Sequence, residues 1–286
     1  MIDSIICDDV LKGLASIPDD SVALTVSSPP YNLKIDYDNR DDNQPYQEYL
    51  AWLTDIFTEV YRVTKHGGRV AINIDAMTNR QDDKEKEYVR PIYAHLCNLM
   101  EPLGWKFRTE ICWYKQNGVG KATAWGSHLS CSNPVIIRNH EYVLVWSKGD
   151  YRLEGDNDQS DITKEEWAKM IYSTWFIQPE TRKLAGHPAA FPEELVKRII
   201  KLLSYRGDTV LDIFNGTGTT TYVAKLLKRH FIGIDNSEKY CDYARERLEN
   251  ADSLFEEDYI PRSVRLEEYK KDKDFVDEFE STNLFE

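Results

Sequence analysis

The sequence predicts an α/β protein with a mostly parallel central sheet and helices on both faces. Short apolar runs bounded by turn residues alternate with longer stretches whose apolar residues recur at helical spacing. Two predicted strands end in unusual turns, one with paired prolines and one with closely spaced glycines. With 286 residues and 41% hydrophobic content, the chain can bury a core of this type.

The individual elements follow from apolar periodicity. Strands are expected at about residues 2–7, 21–27, 69–75, 105–115, 141–147, 209–214 and 231–235. Helices are expected at about residues 10–17, 45–65, 88–100, 191–203 and 219–229, and from residue 238 onwards. Gly67 and Gly68 are expected to end the long second helix. Because parallel strands need long crossovers, this alternation favours one sheet covered on both sides.

The expected organisation is one domain over residues 1–255 and an acidic tail over residues 256–286. The tail contains eleven acidic and five basic residues, a net charge of −6, and is expected to be a solvated helix or partly disordered. Residues 115–138 lack periodicity and predict a long loop. Residues 150–180 are charged and irregular, and are the candidate for an inserted recognition element.

The charge distribution leaves a nucleic-acid partner open despite a net charge of −13. Residues 102–149 contain six basic and two acidic residues, so this part could face phosphates while the tail stays in solvent. No apolar run reaches the roughly 18 to 20 residues that span a bilayer. The first ten residues carry acids where a secretory signal has Lys or Arg, so neither a membrane partner nor secretion is expected.

The cysteines indicate a reducing compartment. They are scattered and form no Cys-x-x-Cys pair and no local cluster with histidine. This pattern argues against a structural metal site and against a disulfide scaffold, so we expect no metal and a cytoplasmic location. The five positions are Cys7, Cys97, Cys112, Cys131 and Cys241.

The stretch Ser28-Pro29-Pro30-Tyr31 directly follows the second predicted strand. Proline has no backbone N–H and a fixed φ, so the pair ends the strand and stiffens the chain. Alone, such a stretch is most often a rigid turn with a half-buried tyrosine. A second motif, far along the chain, gives it a different interpretation.

That second motif is a glycine-rich turn, residues 215–218, between a strand ending at Asp212 and a helix that Thr219 is predicted to cap. Glycines allow close approach of a ligand, and a helix N-terminus offers unpaired N–H donors. The next strand ends at Asp235, where a carboxylate suits a ribose diol. The turn lacks dinucleotide spacing and a phosphate-loop lysine, so a ligand with a ribose but no phosphate fits better, and S-adenosylmethionine (SAM) is the candidate. The alternative is an ordinary strand-to-helix connection with a solvated Asp235.

Together, Ser28-Pro29-Pro30-Tyr31 and the later Asp212-x-Phe214-x-Gly216-x-Gly218-Thr219 resemble the β-class of DNA amino-methyltransferases, in which the catalytic motif precedes the SAM motif. The resemblance covers residues 2 to about 250 and implies a Rossmann-like, SAM-dependent methyltransferase fold with permuted motif order. It implies catalytic roles for Ser28, Pro29, Pro30 and Tyr31. It implies cofactor contacts by Asp9, Asp212, Phe214, Asn215, Gly216, Gly218, Thr219, Asp235 and Pro188.

Two positions near these candidates, Asp8 and Phe191, depart from the family pattern. Asp9 matches the acid that reaches the adenine of the cofactor, but Asp8 stands where the family usually has Gly, so Asp8 is the alternative. Pro188 lies in "GHPAAFPEELVKRII", which is similar to the family segment over the methionine end of SAM. Phe191 in that segment replaces a Lys found in many relatives.

The chemistry of the implied reaction explains a rigid motif. An exocyclic amino group is a poor nucleophile because its lone pair is delocalised into the ring. It also lies inside the duplex, so the base must be flipped out and aligned with the methyl donor. The Ser28 hydroxyl and the Pro29 carbonyl could each accept one amino hydrogen where positive charge develops, while Tyr31 stacks on the base. The resemblance implies cytosine N4 as the target, because relatives with Ser before Pro-Pro mostly methylate cytosine N4, whereas those with Asp or Asn mostly methylate adenine N6.

Three other functions stay open at this point: adenine N6 methylation, methylation of RNA or a protein amide, and a silent module that binds SAM or DNA. Implied partners are double-stranded DNA with a flipped base, a cognate restriction endonuclease and a second copy of the chain. Basic residues interleaved with aromatics in the central loop are candidates for DNA contact, the alternative being a solvated loop. These candidates are Lys115, Lys121, Trp125, His128 and Arg138.

Overall fold

The structure is a computed structural model of the whole chain. It describes residues 2–32, 36–37, 40–41, 44–80, 88–115, 127, 129–134, 136, 138–182, 184–186 and 191–253. Three of the candidate DNA contacts, the candidate cofactor residue Pro188 and the acidic tail lie outside the described residues.

The described chain contains twelve strands and seven α-helices. The strands are β1 Ser4–Cys7, β2 Val22–Ser27, β3 Asp36–Tyr37, β4 Arg40–Asp41, β5 Thr64–Ile74, β6 Thr78–Arg80, β7 Tyr88–Arg90, β8 Trp105–Tyr114, β9 His140–Lys148, β10 Thr174–Phe176, β11 Thr209–Asp212 and β12 His230–Asp235. The helices are α1 Val10–Ala15, α2 Tyr46–Val63, α3 Ile92–Met100, α4 Lys164–Met170, α5 Glu193–Leu203, α6 Thr219–Leu226 and α7 Glu238–Glu249.

The predicted α/β class is confirmed. Eight strands form one sheet in the order β1-β12-β11-β2-β5-β9-β8-β10, and two small hairpins, β3-β4 and β6-β7, lie apart from it. Every neighbouring pair in the sheet is parallel except the two made by β9. The other seven strands therefore end at one edge of the sheet, which we call the carboxyl edge.

Helices cover both faces of the sheet and bury two apolar clusters. One cluster joins α1, α2 and α3 to one face, and the other joins α5, α6 and α7 to the opposite face. The apolar stripe predicted for α2 is buried at Tyr49, Leu53, Phe57 and Val60, all 1% exposed or less. This packing on both sides sets the positions of the strand ends.

Glycine and proline account for two errors in the predicted boundaries. Gly67 and Gly68 do not end α2, which stops at Val63, but lie within β5. The register between β2 and β5 slips there, as expected when glycine forms a bulge. The helix predicted over residues 88–100 begins only at Ile92, because Pro91 precedes it and the backbone before Pro91 is extended in β7.

The irregular stretch 150–180 is more ordered than its composition predicts, since it contains α4 and β10. The Thr163 side chain caps α4 in a capping box with Glu166. Upstream, the carboxylate of Asp161 accepts two hydrogen bonds from the buried guanidinium of Arg229, at 2.5 and 2.9 Å. Within the described part of the chain, no helix is long and apolar enough to cross a membrane.

Candidate active site

The two motifs meet at the carboxyl edge because β2 and β11 are adjacent parallel strands. Ser27, the last residue of β2, donates a hydrogen bond of 2.6 Å to the Asp212 carboxylate at the end of β11. This bond joins residues 185 positions apart. The proline motif and the glycine-rich turn therefore begin side by side, directly after two strand ends that are joined by a buried hydrogen bond.

The proline motif is held by hydroxyl groups. Ser28 Oγ donates to the Tyr31 hydroxyl at 3.1 Å, and that hydroxyl donates to the backbone carbonyl of Asn73 at 3.3 Å. The Tyr49 hydroxyl, from α2, donates to the Pro30 carbonyl at 2.8 Å. Both prolines are buried and Ser28 and Tyr31 are half-buried, so the motif is a fixed platform with partly accessible ends.

Asn32 closes the loop that follows the motif. Its backbone is in the left-handed region, with φ of 56°, which Asn tolerates better than most residues. Its carboxamide donates to the Gln44 carbonyl and accepts from the Gln44 N–H, each at 2.8 Å. These two bonds join the residue after the proline motif to the residue two positions before α2.

The glycine-rich turn is held by backbone donors. The Gly216 N–H donates to one Asp235 carboxylate oxygen at 2.7 Å, and the Ser237 N–H donates to the other at 2.9 Å. The predicted cap is wrong: Gly218, with φ of 79°, occupies the N-cap position of α6, and Thr219 is the first helical residue. Glycine adopts this left-handed conformation without strain, and in it the Gly218 N–H closes the turn by donating to the Asn215 carbonyl at 2.8 Å.

The carboxyl group of Asp212 is fully buried and its pKa is shifted. Burial raises its pKa to about 6, against the stabilising hydrogen bonds from the Ser27 hydroxyl and the Phe214 N–H. The nearby charge of Asp235 acts in the same direction as burial. A charged carboxylate here is therefore costly, and the surrounding donors offset part of that cost.

The end of β1 lies beside the end of β12, since Cys7 pairs with Asp235. The Asp8 N–H donates to the Asp235 backbone carbonyl at 3.0 Å. Asp9 is exposed and caps α1, its carboxylate accepting from the Leu11 N–H at 2.9 Å. Both candidate adenine-binding acids are therefore next to the strand that carries Asp235, and the choice of Asp9 stays a prediction.

Phe214 and Asn215 follow β11 and pack toward α2 and the interior. Phe214 is half-buried and its ring centroid lies 5.5 Å from that of Trp52 on α2. Asn215 is buried; its side-chain oxygen accepts from the Thr221 hydroxyl at 3.0 Å. Among the residues described, its Nδ2 donor has no hydrogen-bond partner. A buried donor without a partner, next to left-handed glycines, suits a polar ligand.

The two described candidates for DNA contact are both paired with carboxylates. Arg138 makes a bidentate pair with Asp75, with distances of 2.9 and 3.2 Å. Lys115 pairs with Glu141, and its Nζ lies 4.7 Å from the centroid of the Trp113 ring. DNA contact by these residues stays a prediction. Lys121, Trp125 and His128 lie outside the described residues.

Sequence reasoning missed Tyr49, Asn73 and Glu141, which support the proline motif, and Trp52, whose ring lies beside Phe214. Asn73 offered one signal, because it is a polar residue in the apolar run of a predicted strand, and it is 4% exposed. Tyr49 was assigned only to an apolar stripe, although a buried tyrosine usually has a hydrogen-bond partner. Glu141 and Trp52 carried no distinguishing signal.

Comparisons with known proteins agree with this geometry. Residues 22–246 match the family model for N6 and N4 methyltransferases, described as DNA methylase. The Type II methyltransferase M.MjaVI of Methanocaldococcus jannaschii is 36% identical over 180 residues, 63% of this chain and 88% of the relative. M.MjaI of the same organism is 32% identical over 270 residues, 82% of this chain and 88% of the relative.

Two solved structures of other proteins resemble this chain in fold. The Thermus thermophilus protein TTHA0409, in complex with S-adenosyl-L-methionine, is 28% identical with a TM-score of 0.70, covering 88% of this chain and 95% of that one. The PvuII DNA methyltransferase, at 19% identity and a TM-score of 0.66 over 95% of this chain and 92% of that one, shares the fold. With the family model covering most of the described domain, the chain belongs to the DNA methylase family of N6 and N4 amino-methyltransferases.

Proposed function

We propose that this DNA methyltransferase transfers a methyl group to the N4 atom of cytosine in duplex DNA. The observation that carries the proposal is Ser28, the hydroxyl-bearing first residue of the proline motif, which follows Ser27 and its hydrogen bond to Asp212 at the carboxyl edge. The resemblance associates a serine at this position with cytosine N4.

The methyl donor is SAM, which was expected from the glycine-rich turn and is bound in the Thermus relative. The residues present fit it, because the buried Asn215 Nδ2, which has no partner among the described residues, is available to a polar group. We propose that Asp235 binds the ribose, Asp9 the adenine, and Pro188 and Phe214 the remaining surface. SAM supplies an electrophilic methyl group on a sulfonium.

The chain's own residues then act on the target base. Ser28 Oγ and the Pro29 carbonyl accept the two amino hydrogens, which favours a pyramidal nitrogen whose lone pair points away from both acceptors. Tyr31 provides a ring face for the flipped base. Buried prolines keep the acceptors from moving as charge develops, so alignment with the methyl donor is retained.

The test is nucleoside mass spectrometry on unmodified DNA of mixed sequence after incubation with protein and SAM. We expect N4-methylcytosine, and a loss of about 10²- to 10³-fold in the rate for Ser28→Ala, the range found when one acceptor or donor of a preorganised site is removed. SAM binding by Ser28→Ala, measured by calorimetry, should stay unchanged. Absence of N4-methylcytosine with wild-type protein would contradict the proposal.

Adenine N6 is the second candidate, because the matching family model covers both N6 and N4 enzymes. N6-methyladenine in the same digest would retain the fold and cofactor and overturn the role given to Ser28. A Ser28→Asp variant sharpens the distinction, since an increase in adenine methylation would show that the first motif residue controls base choice. Methylation of RNA or protein, or binding without turnover, are the remaining alternatives.

The biological setting is also a proposal. Several relatives carry the name Type II methyltransferase, which supports a role in restriction-modification with a cognate endonuclease. We place the reaction in the cytoplasm, in line with the five free cysteines. Residues 150–180 remain the candidate for target recognition and a homodimer remains expected from the resemblance.

A further inference from the structure

The side-chain contacts behind Tyr31 extend well beyond the proline motif. Asn73 Nδ2, at the end of β5, donates to the Tyr31 hydroxyl at 3.0 Å and to Glu141 Oε2 at 2.7 Å. The other oxygen of Glu141, on β9, pairs with Lys115 at the end of β8. Four strands of the sheet, from β2 to β8, thereby contribute to one chain of contacts that ends at Ser28.

The identities of donors and acceptors determine where each proton lies. An ionised carboxylate only accepts, so Glu141 requires the amide nitrogen of Asn73, rather than its oxygen, to face it. That nitrogen donates to the Tyr31 oxygen, and the Asn73 backbone carbonyl accepts the Tyr31 proton. The second lone pair of the Tyr31 oxygen is left to accept the proton of Ser28.

A serine whose proton points to Tyr31 presents its lone pairs elsewhere. In that orientation Ser28 Oγ can only accept from an incoming amino group, which is the role that methyl transfer to an exocyclic nitrogen needs. If the Tyr31 hydroxyl were free to turn, it could donate to Ser28 instead and occupy one of these lone pairs.

The arrangement is not the one that stability alone would favour. Asn73 is 4% exposed, and among the described residues its side-chain oxygen has no hydrogen-bond partner. A buried acceptor without a partner is destabilising, and folded proteins leave only a few of their buried polar groups in this state. The contact with Glu141 holds the amide in this orientation despite that cost.

We propose that Asn73, Glu141 and Lys115 are positioning residues that hold the Tyr31 hydroxyl and so make Ser28 an obligate hydrogen-bond acceptor. This inference rests on the proposed function as far as the methyl-transfer step is concerned. It assigns to Glu141, which lies outside both sequence motifs, control over the rate of transfer without direct contact with SAM.

Glu141→Gln tests the inference. The new side chain keeps the size of glutamate but can donate, and its oxygen is drawn to Lys115, so its nitrogen faces Asn73 and favours a flipped Asn73 amide. A flipped Asn73 amide no longer donates to the Tyr31 oxygen, so the lone pair that accepts from Ser28 is no longer held in one direction. We expect kcat to fall about 10- to 100-fold, the range for small misplacements of reacting groups, with KM for SAM and the melting temperature nearly unchanged.

Glu110→Gln is the matched control. Glu110 lies on β8 and accepts from the Tyr93 hydroxyl, and within the described part of the chain neither residue is hydrogen-bonded to Tyr31, Asn73 or Glu141. Equal loss of rate in the two variants would overturn the inference. A second discriminating result comes from Tyr31→Phe: if Glu141 acts through the Tyr31 hydroxyl, adding Glu141→Gln to Tyr31→Phe costs no further rate, whereas multiplicative losses overturn the proposal.

An activity-independent readout separates this inference from the proposed function. In protein labelled with ¹³C at tyrosine Cζ, the Tyr31 resonance, assigned with Tyr31→Phe, should shift in Glu141→Gln and stay in place in Glu110→Gln. An unchanged resonance overturns the inference even if DNA is methylated. Wild-type protein that methylates no DNA overturns the proposed function, while the resonance still decides whether Glu141 controls the Tyr31 hydroxyl.

Discussion

The two halves of the active site are built by different means. In the glycine half, residues 209–237, backbone N–H groups bind the carboxylates of Asp212 and Asp235. In the proline half, residues 28–31, side chains from distant elements bind hydroxyl and carbonyl groups. A backbone conformation therefore defines the first half, and individual side-chain hydrogen bonds define the second. Substitutions in the glycine half should therefore act by changing the backbone conformation, and those in the proline half by removing single hydrogen bonds.

The largest effect is expected where the backbone of the glycine half is forced to change. A Cβ at Gly218 would lie 2.7 Å from Ala244 Cβ, and φ there is 79°. Gly207 has a similar φ of 81°, but a Cβ added there would meet nothing within 4 Å. In Gly218→Ala the free energy of unfolding should fall by about 2–5 kcal/mol, against about 1–2 kcal/mol for Gly207→Ala. Denaturant unfolding measures both, and equal losses would contradict a role for the Ala244 contact.

The next largest effect is a pH dependence of the unfolding free energy, and it comes from Asp212, where the two halves meet. Burial raises the folded-state pKa of Asp212 to about 6 from 3.8. Below pH of about 4 the group is protonated in both states. As pH rises through about 6, the unfolded state has already released its proton, so wild-type unfolding free energy falls by about 3 kcal/mol relative to low pH.

Asp212→Asn should remove this dependence while retaining an acceptor for Ser27 and Phe214. Unfolding free energies of the wild type and the variant, measured from pH 4 to pH 7.5, should converge or cross as pH rises. Parallel curves would show that Asp212 keeps an ordinary pKa and that its charge carries no penalty in the folded state.

A smaller effect is expected from one hydrogen bond of the proline half. In Tyr49→Phe the buried Pro30 carbonyl loses its donor, so the free energy of unfolding should fall by about 1–3 kcal/mol and the methylation rate should also fall. Tyr151→Phe removes a hydroxyl that donates to the Phe107 carbonyl at 2.9 Å in an exposed setting, where water replaces it. Equal losses of unfolding free energy in the two variants would show that burial of the Pro30 carbonyl does not strengthen the contribution of the Tyr49 hydrogen bond.

The smallest effect separates two roles of Asp9. As the cap of α1, Asp9 can be replaced by Asn with little change in stability, whereas Ala should cost about 1 kcal/mol. As the proposed adenine contact, loss of the carboxylate should weaken SAM binding about tenfold in both variants, the worth of one charge-assisted hydrogen bond. Calorimetric titration with SAM checks this, and wild-type affinity in Asp9→Asn would assign Asp9 to capping alone.

Local sequence was enough to predict most of the elements and the glycine half. The strand, turn and helix around residues 209–226 are set by neighbours a few positions apart, so propensity and turn chemistry are informative there. Thr219 was assigned the cap because threonine favours it, but Gly218 takes it, since the left-handed conformation that closes the turn is open to glycine. Such details depend on backbone geometry that composition does not reveal.

The support of the proline half could not be predicted in the same way. Asn73 and Glu141 are 68 positions apart in sequence, and only the antiparallel pairing of β5 with β9 brings them together. Tyr49 reaches Pro30 because α2 packs its stripe on the face of the sheet below β2. Periodicity identifies a buried face, but which residues on two buried faces meet depends on the order of the strands.

The sequence by itself determined the α/β class, the family, and the two motifs with their order along the chain. Only the tertiary structure decided that Ser27 binds Asp212, that Lys115 and Arg138 pair with carboxylates, and that Glu141 lies behind Tyr31. The physical reason is the distance along the chain over which each kind of interaction acts. Helix and strand preferences act between neighbours in sequence, whereas hydrogen bonds between side chains act over about 3 Å in space and exist only after distant strands have come together.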